Sequence, residues 1–572
     1  MKKNLKKHQL QLASYAREIF VQQPTRRFVY GLLVSEQTIQ LYQFDRGGVI
    51  YSSKYDIRDD AETFVQIFLA VATEDEIALG LGKHIFWAPD GKCYFDPKGK
   101  MNRVYAVVTS EKPFRRAAIR GRCTTCWRVE DDQKNQFLLK FAWRAMGRVK
   151  ESVFLKAVKE ANLQHVGLME RSRTIETLYC VRSYMPLIAV NGRGERFPVP
   201  DRAHHWLLEP WYGPTLDQFE SPLELLEGFY DAITGKPELL SIGILHRDIS
   251  ISNIVFDRRP DADTFAKLID MDMAIRLDRT KSGVKTDVRT GTRAFQSLKV
   301  LSGIGQHDHL DELEFLFWVF CYIVFSYDAP GKLKKKPETC LQGFQSSKPA
   351  QAIDAKKLVL WNAELPRKVS IGLGAGTPAL FRKLQLFFLK VTEDTRKKID
   401  SRGYKATNDI YEEIMGAAGL STAQGPELVL PSVSDEDTNV WLKKEALQHY
   451  QLVLNLVRES IDLTRRYMDG ALLWKQVGAD DENMEGETRV EEPNLDDHSD
   501  EGFSDASDVV GEASWEGEAG YTVPAAGVTS HSSGYSNKRS ASQSFDVEDD
   551  VSMEPSTSRA TKRAKGSHSR RK

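Results

Sequence analysis

The stretch that most constrains the fold runs from Leu239 to Phe256. Leu239, Leu240, Ile242 and Ile244 lead into it, and Ile254, Val255 and Phe256 leave it. Between these apolar runs lies Leu245-His246-Arg247-Asp248-Ile249-Ser250-Ile251-Ser252-Asn253. A polar loop flanked in this way hangs on buried supports, because both apolar arms are driven into a core. Its marker residues are a His, an Arg, an Asp and, five positions after the Asp, an Asn. The spacing is compatible with a phosphoryl-transfer chemistry. The aspartate can accept a proton from an attacking hydroxyl, and the asparagine can reach a magnesium ion beside phosphates. Four residues at fixed spacing are a hypothesis that the rest of the chain has to support.

The 572 residues suffice for more than one domain, and a formal net charge of -1 supplies no global field for nucleic acid or membrane. Cys93, Cys123, Cys126, Cys180, Cys321 and Cys340 are sparse for this length, which predicts a reducing, intracellular setting. No apolar run has the length of a membrane span. Met1 to Gln11 carries lysines but no apolar core, so it does not read as a secretory signal. Leu10 to Phe20 reads as an amphipathic helix.

Residues 28–34, 38–44 and 49–51 are β-rich, with Asp45-Arg46-Gly47-Gly48 as a hairpin-like turn. Ala61 to Ala72 is helical by spacing, with Phe64, Ile67, Phe68 and Val71 on one face. Phe114 to Lys140 reads as strand, turn, strand: Ile119 to Arg122 opens it, Trp127-Arg128-Val129 follows, and Phe137 to Phe141 is a short apolar strand containing Lys140. A lysine near a strand end is ordinarily solvated. Glu151 opens a helix to Asn162, where an acid near the positive end of the dipole is ordinary. Trp206 to Glu209 is a strand, Gly213-Pro214 breaks it, and Ser221-Pro222 starts a long helix with Leu223, Leu226, Phe229, Tyr230 and Ile233 on its apolar face. After the polar loop, Phe265 to Ile269 is a buried strand ending in Asp270-Met271-Asp272. Asp311 to Phe320 begins acidic and becomes a buried helix. Leu358 to Leu365 and Pro378 to Thr392 read as helices, and Val440 to Trp474 as a long helical region with Leu447, Tyr450, Leu454, Val457 and Ile461 at helical spacing. Beyond Gly478 the chain turns acidic, then Ser- and Gly-rich. That composition buries too little apolar surface to offset ordering entropy, so this tail is expected to be disordered. Its basic end, with Lys562, Arg563 and Lys565, reads equally as a nuclear localisation signal or a solvated tail.

Three other motifs yield to plainer readings. Cys123-Thr124-Thr125-Cys126 has redox or zinc spacing but no further ligands nearby, so two small strand residues are the better account. His204-His205 reads as surface, and Gly372 to Thr377 as a flexible connection.

The combination resembles the fungal-type protein kinases. The resemblance rests on Arg26 to Leu32 with Phe44 to Gly48, Leu139 to Arg144, His246 to Asn253, Leu268 to Ala274, Arg289-Thr290-Gly291-Thr292, and Asp311 to Phe315. It covers roughly Ala13 to the helices beyond Leu380. It implies an α+β, two-lobed kinase-like fold: an N-terminal α+β module over 1–110, a small lobe over 111–212 and a large lobe over 213–430; beyond it, spacing and composition predict a helical extension over 431–476 and a disordered tail over 477–572. The resemblance implies transfer of the γ-phosphate of ATP, with Mg2+, to a protein hydroxyl of Ser/Thr type; the balanced charge and the lack of a span-length apolar run predict no membrane or nucleic-acid partner. Asp248 would be the catalytic base, beside His246, and Arg247 would order the activation segment. Asn253 and Asp270 would hold magnesium, Lys140 would pair with the phosphates and Glu151 with Lys140. Gly121 would belong to the nucleotide-covering loop, and Thr292 would contact the catalytic loop.

Four positions depart from the general kinase pattern. Ser250 stands where Ser/Thr kinases have a lysine that contacts the γ-phosphate. Gly121 is the only glycine in Ile119 to Val129, Asp272 replaces the glycine of the metal motif, and Lys299 replaces the acid that closes the activation segment. Two other readings therefore stand beside the protein kinase. Asp270-Met271-Asp272 fits a small-molecule phosphotransferase of the aminoglycoside or choline kinase type. The sparse glycine loop and Lys299 fit a pseudokinase scaffold.

Overall fold

In the computed structural model the described residues are 2–190, 195–277, 291–303, 307–392 and 440–481. All lie within the first of two compact units, Met1–Asp497. The acidic tail after Asp481, with Lys562, Arg563 and Lys565, lies outside the described residues, as do 278–290 and 393–439. No helix among the described residues is long and apolar enough to cross a membrane.

The architecture is α+β. Helix α1 (Lys2–Gln22) packs on a small antiparallel sheet of β1 (Phe28–Val34), β2 (Thr38–Asp45), β3 (Gly48–Tyr51) and β4 (Tyr55–Asp56). Ala16 and Phe20 bury against Val29, Tyr42 and Phe44 there. Helix α2 (Ala61–Val71) follows, and of its apolar face only Ile67 is buried; Phe68 is exposed. A larger antiparallel sheet contains β5 (Ile85–Trp87), β6 (Cys93–Phe95), β7 (Tyr105–Val107), β8 (Phe114–Arg115), β9 (Thr125–Glu130), β10 (Gln136–Ala145), β11 (Arg171–Thr177) and β12 (Arg202–Pro210). Its order is β11-β12-β10-β9-β7-β6-β5, with β8 beside β9. Strand β10 is therefore interior, and Lys140, placed by sequence near a strand end, is buried opposite Leu207. Helix α3 (Glu151–Glu160) follows β10.

Several readings need correction. Ile119 to Arg122 is loop rather than strand: Gly121 (φ 130°) and Cys123 (φ 48°) take left-handed backbone that a ladder cannot continue through. Cys123 thus lies in that loop, and Cys126 is in β9. His204 is buried rather than at the surface. Its ring stacks on Trp143 at 4.4 Å, and burial lowers its pKa despite Glu176.

The main core is helical. Helix α4 (Pro222–Ser241) is capped by Ser221, whose Oγ accepts from the Glu224 N–H at 3.0 Å, with Pro222 in its first turn. Helix α5 (His309–Ser326) starts from an Asp308–Asp311 capping box and is buried on nearly every side. Helices α6 (Pro349–Trp361) and α7 (Thr377–Phe387) follow; α6 starts nine residues before the spacing placed it.

The long C-terminal helix α8 (Val440–Asp481) completes this core. Tyr450, Leu454, Val457 and Ile461 are buried in the same cluster as Phe229, Ile233 and Phe317. Arg458 lies over the Tyr230 ring at 4.9 Å, and Arg465 reaches Glu227 at 3.0 Å. The Gly376 N–H donates to Thr464 Oγ1 at 3.2 Å, and a Cβ on Gly376 would sit 2.5 Å from Ser460 O. Gly372 to Thr377 is thus a close-packed seam rather than a slack connection.

His165 ties the segment leaving α3 to α4. It is 2.7 Å from Glu238 Oε1 and 3.6 Å from Asp231 Oδ1. Burial opposes its charge, but these two acids outweigh that and raise its pKa to about 9.

Leu454→Ala is expected to lower the unfolding free energy by about 2–5 kcal/mol, a cavity cost that an independent appendage would not show in urea melts of the whole chain. His165→Gln tests the linkage. A raised folded pKa gives stability that is complete below the unfolded value near 6.5 and fades as pH rises through about 9. The stability gap between wild type and variant should therefore be largest at pH 6 and close by pH 10.

Candidate active site

The site forms where the loop after α4 meets strands β9 and β10. Residues 246–253 are held from below by one carboxylate. Glu312, in the first turn of α5, is fully buried. Its Oε2 accepts from the His246 N–H at 3.1 Å and from Lys236 Nζ at 2.8 Å, and its Oε1 accepts from the Arg247 N–H at 2.8 Å. Burial works against this charge. Lys236 and His307 outweigh it and hold Glu312 well below the usual carboxylate range. The support lets Arg247 adopt φ 68°, which few non-glycine residues do. His246 is buried, and its Nε2 lies 2.9 Å from Ile269 O, joining the loop to the segment that leads from the strand Ala266–Leu268 to Asp270. Burial lowers its pKa to about 4, so the ring is neutral.

Asp248 sits above this support. Its Oδ1 accepts from the Thr292 N–H at 2.8 Å and from Thr292 Oγ1 at 3.0 Å. Asn253 Nδ2 donates to the Asp248 carbonyl at 2.7 Å, which closes the loop on itself. A Cβ on Gly291 would lie 2.7 Å from Arg247 O, so only glycine allows this approach. Burial raises the Asp248 pKa more than the nearby Arg122 lowers it.

A second cluster lies beside the first. Lys140 Nζ is 2.9 Å from Glu151 Oε2 and 2.6 Å from Asp270 Oδ1. Burial works against the lysine charge, but Asp270 and Glu151 outweigh it and hold Lys140 well above its usual range. Asp270 takes the shorter bond; the attraction of Lys140 and Arg122 exceeds its burial cost, and its pKa is well below normal. Burial raises Glu151 above the ordinary carboxylate range. Asp270 itself has φ 67°, and its carboxylate caps the turn by accepting from the Asp272 N–H.

The structure thus brings His246, Arg247, Asp248, Asn253 and Thr292 together, and Lys140, Glu151 and Asp270 together. Gly121 stands apart from these bonds, its N–H donating to Arg46 O at 3.3 Å. Two residues absent from the sequence expectations, Arg122 and Glu209, join the site. Arg122 Nη1 is 2.8 Å from Asp272 Oδ2, and its Nη2 is 3.7 Å from Asp248 Oδ2. Glu209 is buried beside Lys140 and Asp270, and burial raises its pKa. Lys299, in the place of an acid, pairs with Asp308 at 2.5 Å and Asp311 at 3.5 Å. Glu209 was visible only as a polar residue ending an apolar strand; Arg122 carried no signal.

The donor set suits a hard cation. Asp270, Asp272 and Asn253 offer oxygens, and Asp272 Oδ1 is buried without a hydrogen-bond partner. Among the described residues no three His, Cys, Asp or Glu side chains form a metal cage. That is consistent with an ion that takes one or two carboxylates and completes its shell with phosphate and water.

A family model described as fungal protein kinase matches residues 1–324. No curated protein matches the chain.

Glu312→Gln should cost about 3–5 kcal/mol in urea unfolding, because it strands the buried Lys236 charge. Adding Lys236→Met should recover part of that loss, and a loss unchanged in the double variant would rule out the ion-pair account.

Proposed function

The chain belongs to the fungal protein kinase family, and we propose that it is an active, two-lobed, ATP- and magnesium-dependent kinase that phosphorylates a protein Ser or Thr hydroxyl. The observation that carries the reading is the Lys140–Glu151–Asp270 triad, with Lys140 and Glu151 buried and Asp270 partly so, assembled across 130 residues of chain. Such a lysine fixes nucleotide phosphates and such an aspartate fixes their metal. Neither the desolvation of these charges nor their convergence beside Asp248 is needed by a scaffold.

In this reading Asp248 orients the acceptor hydroxyl and takes its proton. The hydroxyl oxygen forms a bond to the γ-phosphorus as the bond from that phosphorus to the β–γ bridging oxygen breaks, and ADP leaves. Thr292 holds one Asp248 oxygen from the activation-segment side, leaving the other for the acceptor. Asn253 fixes the loop backbone at the same point. Asp270, Asp272 and Asn253 would hold the magnesium, whose contribution when bound is to neutralise phosphate charge. Lys140 positions the phosphates and is itself positioned by Glu151. Because burial raises the Asp248 pKa, activity should fall on the acid side at a higher pH than an ordinary aspartate would give.

A second reading has one observation in its favour. Asp272 is a buried carboxylate where protein kinases have glycine, which suits a phosphotransferase acting on a small alcohol. A panel of protein and small-alcohol acceptors separates the two, and phosphoamino-acid analysis of any product assigns the hydroxyl.

Asp248→Asn should reduce phosphate transfer from radiolabelled ATP by roughly 10²–10⁴-fold, with Asp270→Asn and Lys140→Met also strongly impaired. If wild type and these variants share one background rate, the enzyme reading fails.

A further inference from the structure

Ser250 leaves a vacancy of charge in the catalytic loop. Two residues after Asp248, it carries a neutral hydroxyl, buried and 3.0 Å from Ser252 Oγ. No cation can come from that position to meet the phosphoryl group in flight. The cation that the structure sets against Asp248 comes instead from the opposite wall, on the loop before β9. Arg122 reaches Asp272 Oδ2 at 2.8 Å and Asp248 Oδ2 at 3.7 Å. The second distance is an ion pair without a hydrogen bond, so among the described residues one of five guanidinium N–H donors is engaged. The Asp248 and Asp272 side chains are 4% and 2% exposed, whereas that of Arg122 is 22% exposed, so Arg122 is the partly open member of the group.

The loop that delivers Arg122 is tied down rather than free. The Arg122 carbonyl accepts from the Trp143 N–H at 2.8 Å, and the Gly121 N–H donates to Arg46 O. Arg46 Nη1 donates to Ala118 O at 2.9 Å, and the Arg46 guanidinium sits 3.9 Å from the centre of the Phe20 ring. Phe20 and Arg46 belong to α1 and to the turn after β2, so the N-terminal sheet module anchors the loop that places Arg122.

We propose that Arg122 is a catalytic residue that binds the transferred phosphoryl group, supplying from the nucleotide-covering loop the cation that position 250 lacks. The proposal rests on the kinase reading above. A guanidinium offers planar, bidentate donors to phosphate oxygens and stays charged throughout. Parked between Asp248 and Asp272, it spans the gap between the acceptor's base and the metal-side carboxylate, where the γ-phosphoryl would pass. Phosphate oxygens would exchange with Asp272 as its partner, and no proton or bond at Arg122 need change.

The test uses the full chain and two readouts. Arg122→Gln should lower kcat roughly 10²–10³-fold, the loss typical of one oriented donor to transition-state charge. It should weaken binding of a non-hydrolysable ATP analogue while leaving ADP affinity unchanged, because only the γ-phosphate is read. Arg122→Gln with Ser250→Lys should regain at least about tenfold of the lost rate, since one charge of similar reach is restored. An unchanged kcat in Arg122→Gln would overturn the proposal. So would equal loss of ADP and ATP-analogue binding with a lowered melting temperature, which marks a structural role. If wild type shows no transfer above Asp248→Asn, the kinase reading has failed, and the ATP-analogue against ADP comparison still decides Arg122.

Discussion

The loop from His246 to Asn253 depends on the carboxylate of Glu312. It is buried where an unpaired charge would be untenable, and four groups share it: two backbone N–H groups of the loop, the Lys236 ammonium and the His307 ring. Each has a separate consequence. The N–H bonds allow Arg247 its left-handed backbone, and that turn presents Asp248. Lys236 fastens α4 to α5. Because α5 is buried almost throughout, its first turn cannot shift without moving the core, so loop geometry and core packing are one constraint.

Charge in the site is arranged in a comparable way. Asp248, Asp272, Glu151 and Glu209 are buried acids, Asp270 is a partly buried one, and Lys140 and Arg122 are the cations placed against them. Burial raises the pKa of Glu151 and Glu209, whereas at Asp270 and Asp272 burial is outweighed by Lys140 and Arg122, which lower it, so these two aspartates are the carboxylates held ionised for a divalent ion. The bonds run across elements distant in sequence, from β10 to α3 and from the loop before β9 to the turn after Asp270. Assembly of the site therefore reports on the whole fold.

The legible parts of the chain were those with short-range signatures. The polar loop from His246 to Asn253, the Ser221 cap and the β1–β3 runs are local patterns, and the structure forms them as read. Lys140 and Glu151 were readable only through chain order, because a lysine in a strand and a glutamate opening a helix are each ordinary. What stayed hidden depends on contacts between distant segments. Arg122 resembles any loop arginine until Asp248 and Asp272 arrive from more than 120 residues away. His204 looked like surface because neighbouring polar residues usually are, yet Trp143 across the sheet covers it. Gly376 looked slack because its reason to be glycine, the backbone at Ser460, belongs to another helix.

Helix α8 lies wholly beyond the residues matched by the family model, yet its apolar face completes the core around α4. This affects how the protein is made. Tyr230 and Arg458 are 228 residues apart, so at ordinary synthesis rates of ~5–20 residues per second α4 waits roughly 10–45 s for its partner. During that interval the apolar surface meant for Tyr450, Leu454, Val457 and Ile461 is uncovered. The nascent chain therefore passes through a state that holds the whole loop from His246 to Asn253 but lacks its last supporting wall. That interval is when a chaperone would have most to do.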